Sequence, residues 1–185
     1  IVVVPKNGIL GNKRFKAATK IVKISEGYVH FDERVRVRAN PMIGTIGVAP
    51  ETEEIPSSTP GRHGGNMDVK DLTANTRLFL PVFAKGALFA AGDIHAVQAD
   101  GELCVSSAEV VGQILLRFGL IKGKSPKWPM LETSGCYALL VCASNLHEAA
   151  IEASEAAVEA FMREYGWSFE EAYMFGSLAV DLCIN

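Results

Sequence analysis

The strongest alternation of apolar and polar positions runs through residues 21–39 and ends in Arg34-Val35-Arg36-Val37-Arg38-Ala39. A period of two places valines on one face and arginines on the other, which predicts an antiparallel strand with one wet face. The arginines read as a solvated face or as partners of acids across the sheet. Thr76-Arg77-Leu78-Phe79-Leu80-Pro81-Val82-Phe83 predicts another strand, ended or pushed to a sheet edge by its proline. Gly86-Ala87-Leu88-Phe89-Ala90-Ala91 is small and apolar, and is expected to be a buried strand or tight turn. Glu109–Ile121 fits a strand or a helix by periodicity; Gly112 and Gly119 weaken the helix, so a strand is preferred. Cys136–Ser144 supplies one more, through Tyr137, Leu139 and Val141.

Beyond residue 144 the period changes. Asn145 with Glu148, and Ser168 with Glu171, have the spacing of capping boxes, so two helices are expected to begin there. Leu146, Ala149, Ala150, Ala153, Ala157, Phe161 and Tyr165 form the apolar stripe of the first, which Gly166 is placed to terminate. Ala172, Phe175, Leu178, Ala179 and Leu182 form that of the second. Strands followed by helices predict an α+β, mainly β chain, a single domain over residues 1–185 with a helical hairpin at 145–185 packed on the β core.

Composition adds exclusions. With 49% hydrophobic and 21% charged residues and a net charge of −3, the chain is an ordinary folded protein rather than a disordered one. A pI near 5.8 supplies no basic surface for phosphate, which argues against nucleic acid and for a small substrate. No apolar run approaches the roughly 18 residues of a membrane span, and Ile1-Val2-Val3-Val4-Pro5 lacks a charged leader, so a cytoplasmic protein with no membrane partner is expected. Cys104, Cys136, Cys142 and Cys183 show no C-x-x-C spacing and are read as reduced, mostly buried thiols. The first residue is not methionine and the last lie in an apolar segment, so the chain is expected to be a piece of a longer one, some catalytic residues lying elsewhere.

The chemistry concentrates in Gly92-Asp93-Ile94-His95-Ala96-Val97-Gln98-Ala99-Asp100-Gly101-Glu102. Carboxylates and a neutral imidazole are ligands for a zinc-like cation. Asp93 and His95 are two apart, which in a strand puts both on one face, and the Asp100-Gly101 pair favours a turn that brings Asp100 and Glu102 back. A polar hairpin with a hydrogen-bonded histidine is the other reading. Gly61-Arg62-His63-Gly64-Gly65-Asn66-Met67-Asp68 is a glycine-rich turn after the loop Glu51–Pro60. Gly64, Gly65 and Asn66 could bind substrate or donate to an oxyanion, and Asp68 could position a base, or these residues simply satisfy the turn. His63 is expected to be a loop histidine. Glu132 stands where a carboxylate could project into a cleft, or on the surface. Cys136 is a possible nucleophile without a local base, and a structural thiol is favoured.

Three segments in order, Pro41-Met42-Ile43-Gly44-Thr45-Ile46-Gly47-Val48-Ala49-Pro50, His63-Gly64-Gly65-Asn66-Met67-Asp68 and Gly92–Glu102, closely resemble the acetamidase/formamidase family. Leu131-Glu132-Thr133 and the stretch Glu171–Asp181 add to the resemblance, which covers residues 21–185. Ala99 stands where the family usually has glycine, and the family's N-terminal histidine-containing segment is missing. The resemblance implies hydrolysis of short amides such as formamide and acetamide, a jelly-roll-like β-sandwich core, a homodimer or higher homo-oligomer, and bound zinc or calcium. Some of Asp93, His95 and Glu102 are expected to be the metal ligands, as the residues of that segment suggest. Asn66 or the glycine turn would hold the oxyanion, and Glu132 or Asp68 would carry the proton. A Cys136-dependent amidohydrolase and a noncatalytic metal- or ligand-binding sandwich are the alternatives.

Overall fold

The computed structural model describes all residues, 1–185. Eleven strands precede two helices, the mainly β, α+β order that the pattern predicts. The strands form four open antiparallel sheets. β1 (Val2–Val3) pairs with β2 (Ala18–Thr19), and β3 (Lys23–Ser25), β4 (Tyr28–His30) and β5 (Arg36–Arg38) form a meander. β6 (Met42–Gly47) lies between β7 (Gly64–Asn66) and β9 (Ala90–His95). β10 (Met130–Glu132) lies between β8 (Arg77–Phe79) and β11 (Tyr137–Leu139).

The last two sheets share the main core. Ile46 of β6, Leu131 of β10 and the intervening Met67, Val69 and Leu72 are buried together, with Ile43, Leu78, Phe89, Ala138 and Leu140 packed around them. Burial of such side chains stabilises by about 1.5–3 kcal/mol each, so this cluster anchors β6, the strand on which the candidate site is built. A smaller cluster of Val29, Ala96 and Ala108 ties the meander to the segment after β9.

The helices follow their local signals. α1 (Leu146–Tyr165) is capped by Asn145, whose side chain accepts the Glu148 N–H, and ends at Gly166 in the left-handed region. Its capping box is half formed, because the Glu148 carboxylate accepts instead from the Ser144 hydroxyl. α2 (Phe169–Ala179) carries a complete box between Ser168 and Glu171. Phe161, Tyr165, Trp167 and Phe175 interlock between the helices, and α1 touches β11. Between α1, β11 and the C-terminal tail lies an apolar cleft of about 420 Å³, with Cys142 and Cys183 in its wall.

Several expectations change. Glu109–Ile121 pairs only at its start, where Glu109 bridges His95 and the Val110 N–H donates to Ile94. From residue 111 to 121 it has no regular structure and no backbone partner, and Val111 and Leu115 are 98% and 99% exposed. It is therefore not a ladder strand: its period is that of a strand, but no second strand lies beside it. Gly86–Ala91 is not buried; Ala84–Leu88 turns on the surface and β9 begins at Ala90. The thiols are free but not mostly buried, since Cys136 and Cys183 are exposed and the other two half-buried. Helical residues Leu146, Tyr165 and Leu178 are also exposed. In total 13,223 Å² is accessible to solvent, against about 8,700 Å² for a compact monomer of this mass. No helix is long and apolar enough to cross a membrane.

Candidate functional site

The site forms where β6, β7 and β9 lie side by side. Ile43 faces Ile94 and Thr45 faces Gly92 across β6–β9, so Gly44 lies opposite Asp93. Asp93 departs from strand geometry at φ +56°, and Asp68, just past β7, is left-handed at φ +50°. Such conformations cost non-glycine residues energy and occur where surrounding structure enforces them. A Cβ on Gly44 would lie 2.6 Å from Asp93 Oδ2 and 2.7 Å from Asp68 Oδ1. The missing side chain of Gly44 is thus the space the two carboxylates occupy.

His95 ends β9 and is 1% exposed. Its Nε2 faces Asp93 Oδ1 at 3.2 Å and Glu109 Oε2 at 3.1 Å, while Nδ1 is 2.7 Å from Gln98 Oε1 and 4.0 Å from Asp68 Oδ1. Ligand atoms of Asp68, Asp93 and His95 lie within 4.8 Å of one another, as do those of His95, Glu102 and Glu109. Of the expected ligands, Asp93 and Glu102 therefore belong to two overlapping groups joined through His95. Asp68 and Glu109 complete those groups. Glu109 escaped the sequence reading, although its signal was present: a chain reversing at Asp100-Gly101 brings residue 109 back against His95.

Polar contacts organise the rest. Thr45 Oγ1 donates to Asn66 Oδ1 and lies 3.3 Å from Asp93 Oδ2, and Asn66 Nδ2 donates to Asp68 Oδ2. The Ser107 N–H donates to Glu109 Oε1 at 2.9 Å. Asp68 Oδ1 is buried without a hydrogen-bond partner, a state costing on the order of 1–3 kcal/mol, more for a charge, unless something positive meets it. Burial raises the pKa of Asp68, with the Asp93 and Glu109 charges adding to the effect. Burial likewise raises Glu102, helped by Asp68 and opposed by Ser107. Burial lowers His95, but Glu109, Gln98, Asp93 and Asp68 together outweigh it and the net shift is upward. Four carboxylates crowd one imidazole, and Lys70 is already engaged by Asp71 and Asp100. Asp68 and Glu102 are half-buried and Asp93 and Glu109 exposed, a grouping of acids around one imidazole that could hold a cation.

Other expected residues stand apart. Asp100 is held by Lys70 at 2.6 Å. Glu132 is paired with Arg77 at 2.6 Å in the neighbouring sheet and belongs to neither donor group. Gly64 and Gly65 adopt φ +95° and +87°, and a Cβ on either would press within 2.3 Å of a backbone carbonyl. The Gly64 N–H is engaged by Gly61. His63 is buried beneath this turn, its ring against Gly61 and Gly65, and burial lowers its pKa. Cys136 is exposed, with only the Thr133 hydroxyl against its sulfur. Asp93 and Glu109 are 36% and 43% exposed, so the cluster opens to solvent on one side.

Comparison with known proteins bears on this arrangement. Residues 52–185 match the model of the Acetamidase/Formamidase family. A stretch of 65 residues, 35% of this chain and 16% of its relative, is 45% identical to an acetamidase of Mycolicibacterium smegmatis. The crystal structure of a predicted acetamidase/formamidase from Thermoanaerobacter tengcongensis superposes with a TM-score of 0.93 at 38% identity, over 96% of this chain and 59% of that one. Acetamidase from Bacillus halodurans gives 0.92 at 35% identity, over 96% of this chain and 60% of that one. The chain thus spans less than two thirds of the length of these relatives.

Proposed function

Because the chain belongs to the acetamidase/formamidase family, we propose that it serves the hydrolysis of short-chain amides, in which water adds to the carbonyl and a carboxylate and ammonia leave. The observation that carries this reading is the buried His95 ringed by Asp68, Asp93, Glu102 and Glu109. The partnerless Asp68 Oδ1, and the room that Gly44 leaves for the Asp68 and Asp93 carboxylates to approach each other, fit a divalent cation. Asp93 and His95 would hold it, with Asp68 and Glu109 completing the donor set. An imidazole among carboxylates suits zinc better than calcium, which prefers oxygen ligands alone. Such an ion, when bound, polarises a carbonyl and makes water acidic enough to react near neutral pH.

The remaining roles fall to residues around that set. Asn66, oriented by Thr45 on one side and Asp68 on the other, has a second amide hydrogen with which to meet the oxyanion. Gly64 and Gly65 shape the turn that presents it. Glu102, an expected ligand whose pKa burial raises, is instead the group we assign to pass a proton to the departing nitrogen. Glu132, paired with Arg77, is assigned to the sheet.

This reading includes a cytoplasmic homo-oligomer. The decisive experiment measures ammonia release from formamide and acetamide, with and without chelator, alongside elemental analysis of the protein. His95→Ala should lose both bound zinc and turnover. Undiminished turnover in the presence of chelator would refute the metal-dependent mechanism.

A further inference from the structure

Gln98 lies in the same segment as the ligands, yet the chemistry above gives it no part. It is 9% exposed and His95 1%, so solvent cannot readily substitute for the bond between them. The Gln98 Nε2 donates to the backbone carbonyl of Asp68, while its Oε1 lies 2.7 Å from His95 Nδ1. A carbonyl oxygen only accepts, so the amide nitrogen must face Asp68 and the amide oxygen must face the ring. Reversing the amide would press two carbonyl oxygens together. An amide oxygen has no hydrogen to give, so the hydrogen of the second bond belongs to Nδ1. Nε2 is then the nitrogen left to face Asp93 and Glu109.

We propose that Gln98 is a positioning residue that keeps a proton on His95 Nδ1 and thereby presents Nε2 to a divalent cation. Through its other end it braces the left-handed Asp68 against the segment following β9, so one amide aligns both parts of the donor set. Histidine ligands depend on such a partner for tautomer and ring orientation. The cation is taken from the proposed function, whereas the proton on Nδ1 follows from the hydrogen-bond pattern alone.

The test uses the whole chain with ¹⁵N-labelled imidazoles, metal-free and loaded with zinc; its four histidines give a tractable set of ring signals. His95 is expected to show a proton on Nδ1, protected from solvent exchange, in both forms. Gln98→Met keeps the length of the side chain and removes both polar ends. It should lose the protected proton and lower zinc affinity, measured by chelator competition, by about 10–100-fold. Gln98→Glu restores an acceptor to Nδ1 and should recover the proton signal, a rescue that simple packing would not produce. An unprotonated Nδ1 in the wild-type chain overturns the proposal, as does a folded Gln98→Met variant with unchanged ring signal and zinc affinity. Should Gln98→Met not fold, the wild-type and Gln98→Glu spectra still decide. Failure of the wild-type chain to bind zinc would sink the metal reading, while a protected Nδ1 proton would uphold the contact to Gln98.

Discussion

The β7–β6–β9 and β3–β4–β5 sheets are both three-stranded and antiparallel, yet they differ in almost every other respect. All residues of β5 are exposed, and Val35 and Val37 each remain 49% accessible. In β6, Met42, Gly44, Ile46 and Gly47 are buried. The sharper alternation of the two belongs to the exposed strand. Alternation reports an extended backbone with two unlike faces; it says nothing about what will cover them. β6 is flanked on both sides and packed on the main core. Its surroundings are therefore shielded enough for a carboxylate to change its proton affinity.

The sharpest contrast between the sheets comes from one glycine in each. Gly64 of β7 and Gly27 of the β3–β4 turn both have positive φ, +95° and +77°, but a Cβ on Gly64 would meet the Ile46 carbonyl while one on Gly27 meets nothing. Gly64→Ala should cost about 3 kcal/mol or more, since strain and collision add. Gly27→Ala should cost about 1 kcal/mol. Denaturant titration of the pair checks this, and equal losses would remove the distinction between the sheets. Gly44→Ala comes next. Its Cβ would meet side-chain oxygens rather than backbone, so the melting temperature should hold while zinc affinity falls about 100-fold, or about 2.7 kcal/mol. Chelator competition with a parallel thermal melt separates the two effects.

Smaller still is a dependence on pH above about 5 that the site sheet should show. Asp68 and Glu102 are raised chiefly by burial, so ionising them weakens the fold as pH climbs through their folded values. His95 is lowered by burial but raised on balance by Glu109, Gln98, Asp93 and Asp68. Its contribution is present below the ordinary histidine value of about 6.5 and lost as pH rises through the folded one. These three have the same sign, while His63, lowered by burial, has the opposite one, so the metal-free His63→Asn chain should melt progressively lower as pH rises from about 5. Saturating zinc should flatten the trend. At the bottom of the scale, Val37→Thr in exposed β5 should change stability by less than about 0.5 kcal/mol. A larger loss by denaturant titration would mean that this face is covered.

Local signals made the helices legible. Asn145, Gly166 and the Ser168–Glu171 pair act within a few residues of themselves, and the structure uses each one. Asp93 and His95 do meet, though a left-handed Asp93 rather than simple strand alternation brings them together. Glu109 and Gln98 were harder to see. Their roles depend on a return pairing across a loop, through Ala108 to Ala96 and Val110 to Ile94, whose register no single residue announces. Asp100 illustrates the reverse: its spacing suited a ligand, but Lys70 arrives from thirty positions away to claim it. The period of residues 109–121 was legible and its partner was not, because pairing is a property of two segments and the sequence of one describes only half of it.

That unpaired stretch also bears on how the polypeptide must be handled. Successive amides and carbonyls stand bare from residue 111 to 121, with Leu115, Phe118 and Leu120 open to solvent around them. An unpaired apolar segment in that condition can be drawn into edge-to-edge stacking. Its one basic side chain, Arg117, offers a trypsin an unguarded scissile bond. Shelf life and freedom from ribbons will consequently depend on this short length of chain as well as on the core.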